Sequence, residues 1–594
     1  MCGLFGLIAE STLSITQQNQ LINAISFRGP DEQALLDLTP AGGPLLGHTR
    51  LSIIGDDSAA QPMWSRNGRF CLTFNGEIYN FEKLSEEFGI DSAGSDTRLL
   101  VELWSQIGAH AIALLRGQWA FAVWDTEVKE CYLVTDEFGI LPLYLHIQAD
   151  SVCWASSARV FKAAKLNLAP DRDSINEYLR LRYAVSPNTF FENVTKLKPG
   201  SLVTISTDRQ VSIHNWNQPG LVFPSARPPK SLDLAREIQK SVESSLRSDQ
   251  EVGIFLSGGV DSALIASIAS SKSVKPVKAY TAFWLREDLD SELENARETC
   301  RALNVEITPV VVTAESWWKA LIAGAEFRES PAAEIADPVV YLLSERARKD
   351  VKVVLSGEGA DELFFGYPKY AVEALIAKPT TKAIVTLALQ VISKVKPQST
   401  RLARLRFAIQ DKSKLQRWDD YFSNLPTIGS TQSQSPLNSE VSDVRGMQLH
   451  DLEGYLPNAL LERADRNGMA HALEVRPSML SAELKKQSLS LNPKAQTRLL
   501  STKIGYRKAA KLLVGRKIAF RKSRGFPIPL SSWIKTELAE KFRSTLSSRS
   551  VLLDEIVPID NRSLVLDEHI SGKRDHSLLL FTWVSLIIWE TEWT

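Results

Sequence analysis

The stretch EVGIFLSGGVDSALIASIASS, Glu251 to Ser271, constrains this chain more than any other. Its first apolar run is strand-length and ends in Gly258 and Gly259; the run that follows has helical length and no breaker. A buried strand entering a helix through a glycine turn is the opening unit of a parallel sheet covered by helices. VKAYTAFW and VKVVLSGEG repeat the apolar strand pattern between helical stretches. Residues 232–594 therefore read as a doubly wound α/β domain, mostly helical from Tyr370 onward. Residues 2–216 read differently. RFCLTFNGEIYN, WAFAVWD, CYLVTD and SLVTIST are strand-like, and RGPD, RNGR, FGILP and KLKPGS punctuate them, which predicts a β-rich domain. Residues 217–231, with four prolines in NQPGLVFPSARPPKS, read as a linker.

A length of 594 residues is too great for a single core, in keeping with two domains. Sixty-nine basic and sixty-nine acidic residues cancel, so the basic footprint of a nucleic-acid binder is absent. Five cysteines without paired spacing speak against a disulfide framework and predict a reducing, cytoplasmic setting. No CxxC or HExxH supports zinc. AIVTLALQVIS (Ala383 to Ser393) and LLLFTWVSLIIW (Leu578 to Trp589) fall short of the roughly 20 residues a spanning helix needs. Both are expected as buried helices, with no membrane partner and no secretory signal. Ser430 to Ser442 is expected as a loop, and the basic stretch Lys378 to Arg417 as a solvated face.

Ser257-Gly258-Gly259-Val260-Asp261-Ser262 aims backbone N–H groups and a helix N-terminus at an anion. The Gly-Lys-[Ser/Thr] ending of a Walker loop is missing. An acid inside a phosphate cradle makes sense if it holds Mg²⁺. LSGEGADELFFGY supplies a second acidic turn, and ligands gather at the carboxyl ends of such strands. Asp261 and Asp361 are thus candidates to share a metal between phosphates. Cys2, once Met1 is removed, would carry both a thiol and a free amine, a nucleophile beside its own base.

Downstream of Cys2 stand RGPD, GHTRLSI, NGEIYN and SDT. With the two glycine turns, they resemble the asparagine synthetase family, glutamine-hydrolysing type, over essentially the whole chain. The resemblance implies a class II glutamine amidotransferase domain, an N-terminal-nucleophile αββα sandwich, followed by an ATP-pyrophosphatase synthetase domain. It implies Cys2 as nucleophile and an oxyanion hole from Asn75 and Gly76. Arg50 would hold the glutamine carboxylate beside Leu51, Ser52, Ile53 and Ile54, with Glu77 and Asp96 on its ammonium. Leu256, the Ser257–Ser262 loop, Ser356 and Gly357 would contact ATP. Lys503, ahead of Arg507, would meet the developing phosphate charge, and Glu358 would deprotonate incoming ammonia. In the bland alternative Asn75-Gly76 is a hairpin turn and Lys503 a solvated helix lysine.

The expected reaction is amidation of a carboxylate through an acyl-adenylate, aspartate being the first choice of acceptor. A sugar uronic acid or a specialised-metabolite acid is the alternative; a ring-forming synthetase or a non-catalytic binding protein stands further off. A homodimer is compatible with the sequence. Asp465, Arg466, Met469, Glu474 and Arg476 match the family block that packs the synthetase domain and lines the route between sites. The chain departs from the family pattern at Thr135, Leu141, Ser481 and Ser523.

Overall fold

A computed structural model describes residues 1–594 except 56–58, 218–228, 285–290, 378, 396–443, 499–500 and 522–527. Two six-stranded sheets form the first domain. One runs in the order Val194–Lys196, Tyr144–Ile147, Ser151–Ala155, Gly3–Ala9, Leu45–Arg50, Glu32–Asp37. The other runs Val211–Asn215, Ser201–Ser206, Glu130–Thr135, Gly117–Asp125, Phe70–Ile78, Met63–Trp64. The strands alternate inward and outward residues, and the two sheets face one another through Leu4, Leu46, Cys71 and Ala120. Helix Ile15–Asn23 covers the outer face of the first sheet and Asp96–Ile107 that of the second. The result is the expected αββα sandwich.

Asn75 and Gly76 lie inside strand Phe70–Ile78, so the hairpin-turn reading of this pair is corrected. Gly76 has φ 154°, and a Cβ there would sit 2.2 Å from the Gln118 carbonyl oxygen. Only glycine fits this close pairing.

The second domain is built on five parallel strands in the order Glu306–Val311, Lys278–Phe283, Val252–Phe255, Val353–Ser356, Glu474–Pro477. The chain winds outward from Val252–Phe255 in one direction, then returns to place Val353–Ser356 on its other side. The switch point therefore falls between the two strands that end in the glycine turns. Helix Val260–Lys272 follows the first turn, as its sequence predicted. Helix Ser231–Ser245 leads into this domain, and most of the expected linker 217–231 lies outside the described residues.

Helix Ser577–Trp593 is buried almost throughout. Helix Pro379–Val395 is not: Ile384, Leu387 and Val391 are exposed, which corrects the reading of that apolar run as a buried helix. Among the described residues, Val385 and Leu389 of its apolar run pack in a small cluster with Val372 and Ile376. No helix among the described residues is long and apolar enough to cross a membrane. Ser430 to Ser442, Ser523 and most of the basic stretch lie outside the described residues.

Candidate active sites and the seam between them

Cys2 directly precedes strand Gly3–Ala9 of the first sheet and is buried. Its backbone nitrogen, the atom that becomes the α-amine if Met1 is removed, donates to Asn75 Oδ1 at 2.7 Å. The other half of that amide, Asn75 Nδ2, is buried with no hydrogen-bond partner. A buried unpaired donor costs on the order of 1–3 kcal/mol, so its persistence beside a thiol suits an oxygen that arrives with substrate. Burial pushes the Cys2 thiol up, only partly offset by the terminal ammonium and the Leu51 N–H. A neutral thiol needs a base before it can attack.

The proposed glutamine-binding residues converge around it. Arg50 is buried, pairs with Glu32 at 2.8 Å and donates to the Gly55 carbonyl at 2.9 Å. Leu51 and Ile53 are buried, Ser52 donates its N–H to Asp31, and the Ile54 carbonyl accepts from Arg50. Glu77 Oε2 is buried and unpartnered while Oε1 faces Arg476 at 3.2 Å. Burial holds the Glu77 carboxyl well above its usual range. Burial also raises Asp96, to about 6, against the opposing Ile78 and Thr97 N–H bonds. Two buried acids, Glu77 with an unpartnered oxygen, and one guanidinium suit an amino acid's charged end.

The second cluster sits at the switch point. Gly259 caps helix Val260–Lys272 without any side-chain acceptor, so first-turn N–H groups stay available for an anion. Ser262 Oγ accepts from Ser257 N at 3.1 Å and fixes the loop. A Cβ on Gly357 would lie 3.0 Å from Asp261 Cβ, so the two glycine turns pack against each other. Lys503 Nζ lies between them, 2.8 Å from Asp261 Oδ2 and 2.9 Å from Asp361 Oδ1. Lys503 is only 2% exposed, which removes the solvated-lysine reading. Burial pushes its ammonium down, and the two carboxylates outweigh that and raise it. Its backbone is left-handed at φ 56°, a strain of roughly 1–3 kcal/mol for a residue with a Cβ. Gly366 permits the meeting, since a Cβ there would lie 1.6 Å from Asp361 Oδ1.

A cavity of about 360 Å³ opens beside this triad, lined by Leu256, Ser257, Gly259, Asp261, Ser356 and Glu358 among others. Glu358 accepts from Ser356 Oγ at 3.2 Å and from Arg463 Nη2 at 2.9 Å. No local pattern singles out Arg463 beyond its place in ERADRNGMA, because its partner lies 105 residues away.

Between the clusters runs a buried charged seam. Met1 is 2% exposed and its amine pairs with Glu474, which also accepts from Gln118 at 3.1 Å and Arg476 at 2.6 Å. Arg476 in turn reaches Glu77, while its strand lies in register with Leu355 and Ser356 of strand Val353–Ser356. One edge strand thus touches both clusters.

A model of the asparagine synthase family matches residues 233–591, and one of the glutamine amidotransferase domain matches residues 1–217. A Bacillus subtilis protein named asparagine synthetase [glutamine-hydrolyzing] 1 is 30% identical, with 100% of this chain and 96% of the relative covered. Asparagine synthetase B of Escherichia coli K12 is 27% identical over 62% of this chain and 65% of its own. Amidase chry2 of Gibberella zeae is 28% identical over 60% of this chain and 56% of its own. Set on a sandwich with a buried N-terminal thiol and a parallel sheet with paired glycine turns, these matches make the chain a member of the asparagine synthase family, a ligase of the glutamine amidotransferase type.

Proposed function

We propose that this enzyme uses ATP to adenylate a carboxylate, most simply aspartate, and displaces AMP with ammonia cut from glutamine at Cys2. The observation that carries the reading is the shared edge strand, whose Arg476 reaches Glu77 while its neighbour Val353–Ser356 ends in the nucleotide turn. The seam between the clusters is buried, and a dry transfer matters because protonation destroys ammonia's nucleophilicity.

In the first step Arg50 orients the glutamine carboxylate as a guanidinium fork suits, and Glu77 and Asp96 take its ammonium. With Met1 gone, the Cys2 amine, of reference pKa near 7.7–8.0, takes the thiol proton and the sulfur attacks the side-chain amide. Negative charge grows on the amide oxygen. Asn75 Nδ2 is positioned for it, together with the Gly76 N–H. The same amine then hands its proton to the departing nitrogen.

In the second step the Ser257–Ser262 loop, Leu256, Ser356 and Gly357 bind ATP through backbone donors. Asp261 and Asp361 offer hard oxygen donors, and Asp261 Oδ1 is buried without a partner, so the pair fits Mg²⁺. The ion would screen the phosphates' charge. Lys503, clasped between the two acids, faces the oxygens that gain charge as pyrophosphate leaves. Glu358 accepts a proton from the attacking nitrogen while Arg463 keeps its carboxylate oriented.

The acceptor is the open variable, and Leu460 and Val340 give part of the cavity an apolar wall. Pyrophosphate release measured with aspartate and a panel of uronic acids, each with ATP, Mg²⁺ and glutamine, tests the assignment. Aspartate should give the largest kcat/KM. A uronic acid ahead of it by tenfold or more would move the enzyme to that substrate class.

A further inference from the structure

Arg28, of the RGPD motif, is fully buried and joins the two halves of the chain. Its Nη1 and Nη2 donate to Asp465 Oδ2 and Oδ1 at 2.9 and 2.7 Å, a parallel two-bond pair. Its third donor, Nε, goes to the carbonyl oxygen of Cys2 at 3.1 Å. A guanidinium is planar, so a bidentate carboxylate fixes the direction of its Nε–H. The donor that holds the Cys2 backbone is therefore aimed from the second domain.

Asp465 lies on helix Leu461–Met469, and that helix is itself firmly anchored. Arg466 pairs with Glu329 at 2.6 Å and donates to the Ser156 carbonyl at 3.1 Å and to Tyr144 Oη at 2.8 Å. Arg463, two residues before Asp465, holds Glu358 in the adenylation cavity. The residues facing glutamine bond elsewhere: Arg50 to Glu32, Glu77 to Arg476, Asp96 to the Ile78 N–H.

We propose that Asp465, a residue of the synthetase half, is a positioning residue for the glutaminase nucleophile, acting through Arg28. The proposal rests on Cys2 being that nucleophile. With Asp465→Asn, one acceptor oxygen becomes a donor facing Arg28, the guanidinium turns, and Cys2 loses the bond that fixes its carbonyl. A displacement of about 1 Å at a reacting atom can cost on the order of a hundredfold. Glutamine affinity should hardly change, because the binding set does not run through Asp465.

The test is steady-state kinetics on the full-length enzyme. In Asp465→Asn, kcat for glutamine hydrolysis should fall about ten- to a hundredfold, with KM for glutamine within about twofold and ammonium-driven synthesis retained. The double variant Arg28→Gln/Asp465→Asn pairs two amides and restores neutrality without restoring the aimed donor. It should keep ammonium-driven synthesis and still hydrolyse glutamine slowly. Recovery of glutaminase in the double variant would overturn the proposal, as would a KM effect with kcat intact. Loss of ammonium-driven synthesis in both forms would make the pair interdomain cement and overturn it equally. Should Cys2→Ala itself retain glutaminase, the underlying reading fails instead.

Discussion

A Cys2→Ala enzyme should lose glutamine hydrolysis by about 10⁴-fold or more while synthesis from added ammonium persists. The size of the loss follows from what the thiol does. A carboxamide is a poor electrophile, and the covalent route divides its hydrolysis into two easier steps. Alanine leaves Asn75 Nδ2, the proposed oxyanion donor, and the proposed glutamine pocket in place, so the residual rate reports binding and charge stabilisation alone. Ammonium-driven synthesis is proposed to depend on Lys503, Glu358 and the glycine turns, whose bonds among the described residues do not include the Cys2 side chain. Glutaminase surviving in this variant would mean another nucleophile. Loss of both activities would point to the packing of Cys2 against the seam.

Lys503→Ala should give the mirror image, lowering ATP–pyrophosphate exchange by about 10²–10³-fold with glutamine hydrolysis intact. Lys503 is the cation both Asp261 and Asp361 hold, and without it the phosphates would meet two carboxylates and one positive charge fewer. The backbone supplies an internal control. Because Lys503 is left-handed, Lys503→Gly should be more stable than Lys503→Ala by about 1 kcal/mol, yet equally poor in exchange. Equal stability of the two would show that the φ of 56° is not a source of strain.

What the sequence disclosed and what it withheld divide along physical lines. The strand–turn–helix at Val252 to Lys272 was legible because the apolar run, the glycines and the helical length are all local signals. The strands around Asn75 and Cys131 were legible for the same reason. Asn75-Gly76 misled in its bland reading, because an Asn-Gly pair has turn chemistry, and only the close approach of Gln118 explains the glycine inside a strand. Helix Pro379–Val395 misled differently: an apolar run fixes helix length but not whether a neighbour arrives to bury it. The contacts that organise the sites were illegible. Arg28 with Asp465, Arg463 with Glu358, and Met1 with Glu474 join residues 437, 105 and 473 positions apart, and no local pattern marks such partners. The motifs named the residues, while the fold alone decided which charge answers which.

The measurement closest to the heart of the account is the intact mass of purified, active enzyme before and after exposure to an electrophilic glutamine analogue, followed by peptide mapping. The mature chain should begin at Cys2 and gain one label, carried by the Cys2 thiol. A fully active chain that still bears Met1, or a label on any other residue, would contradict it.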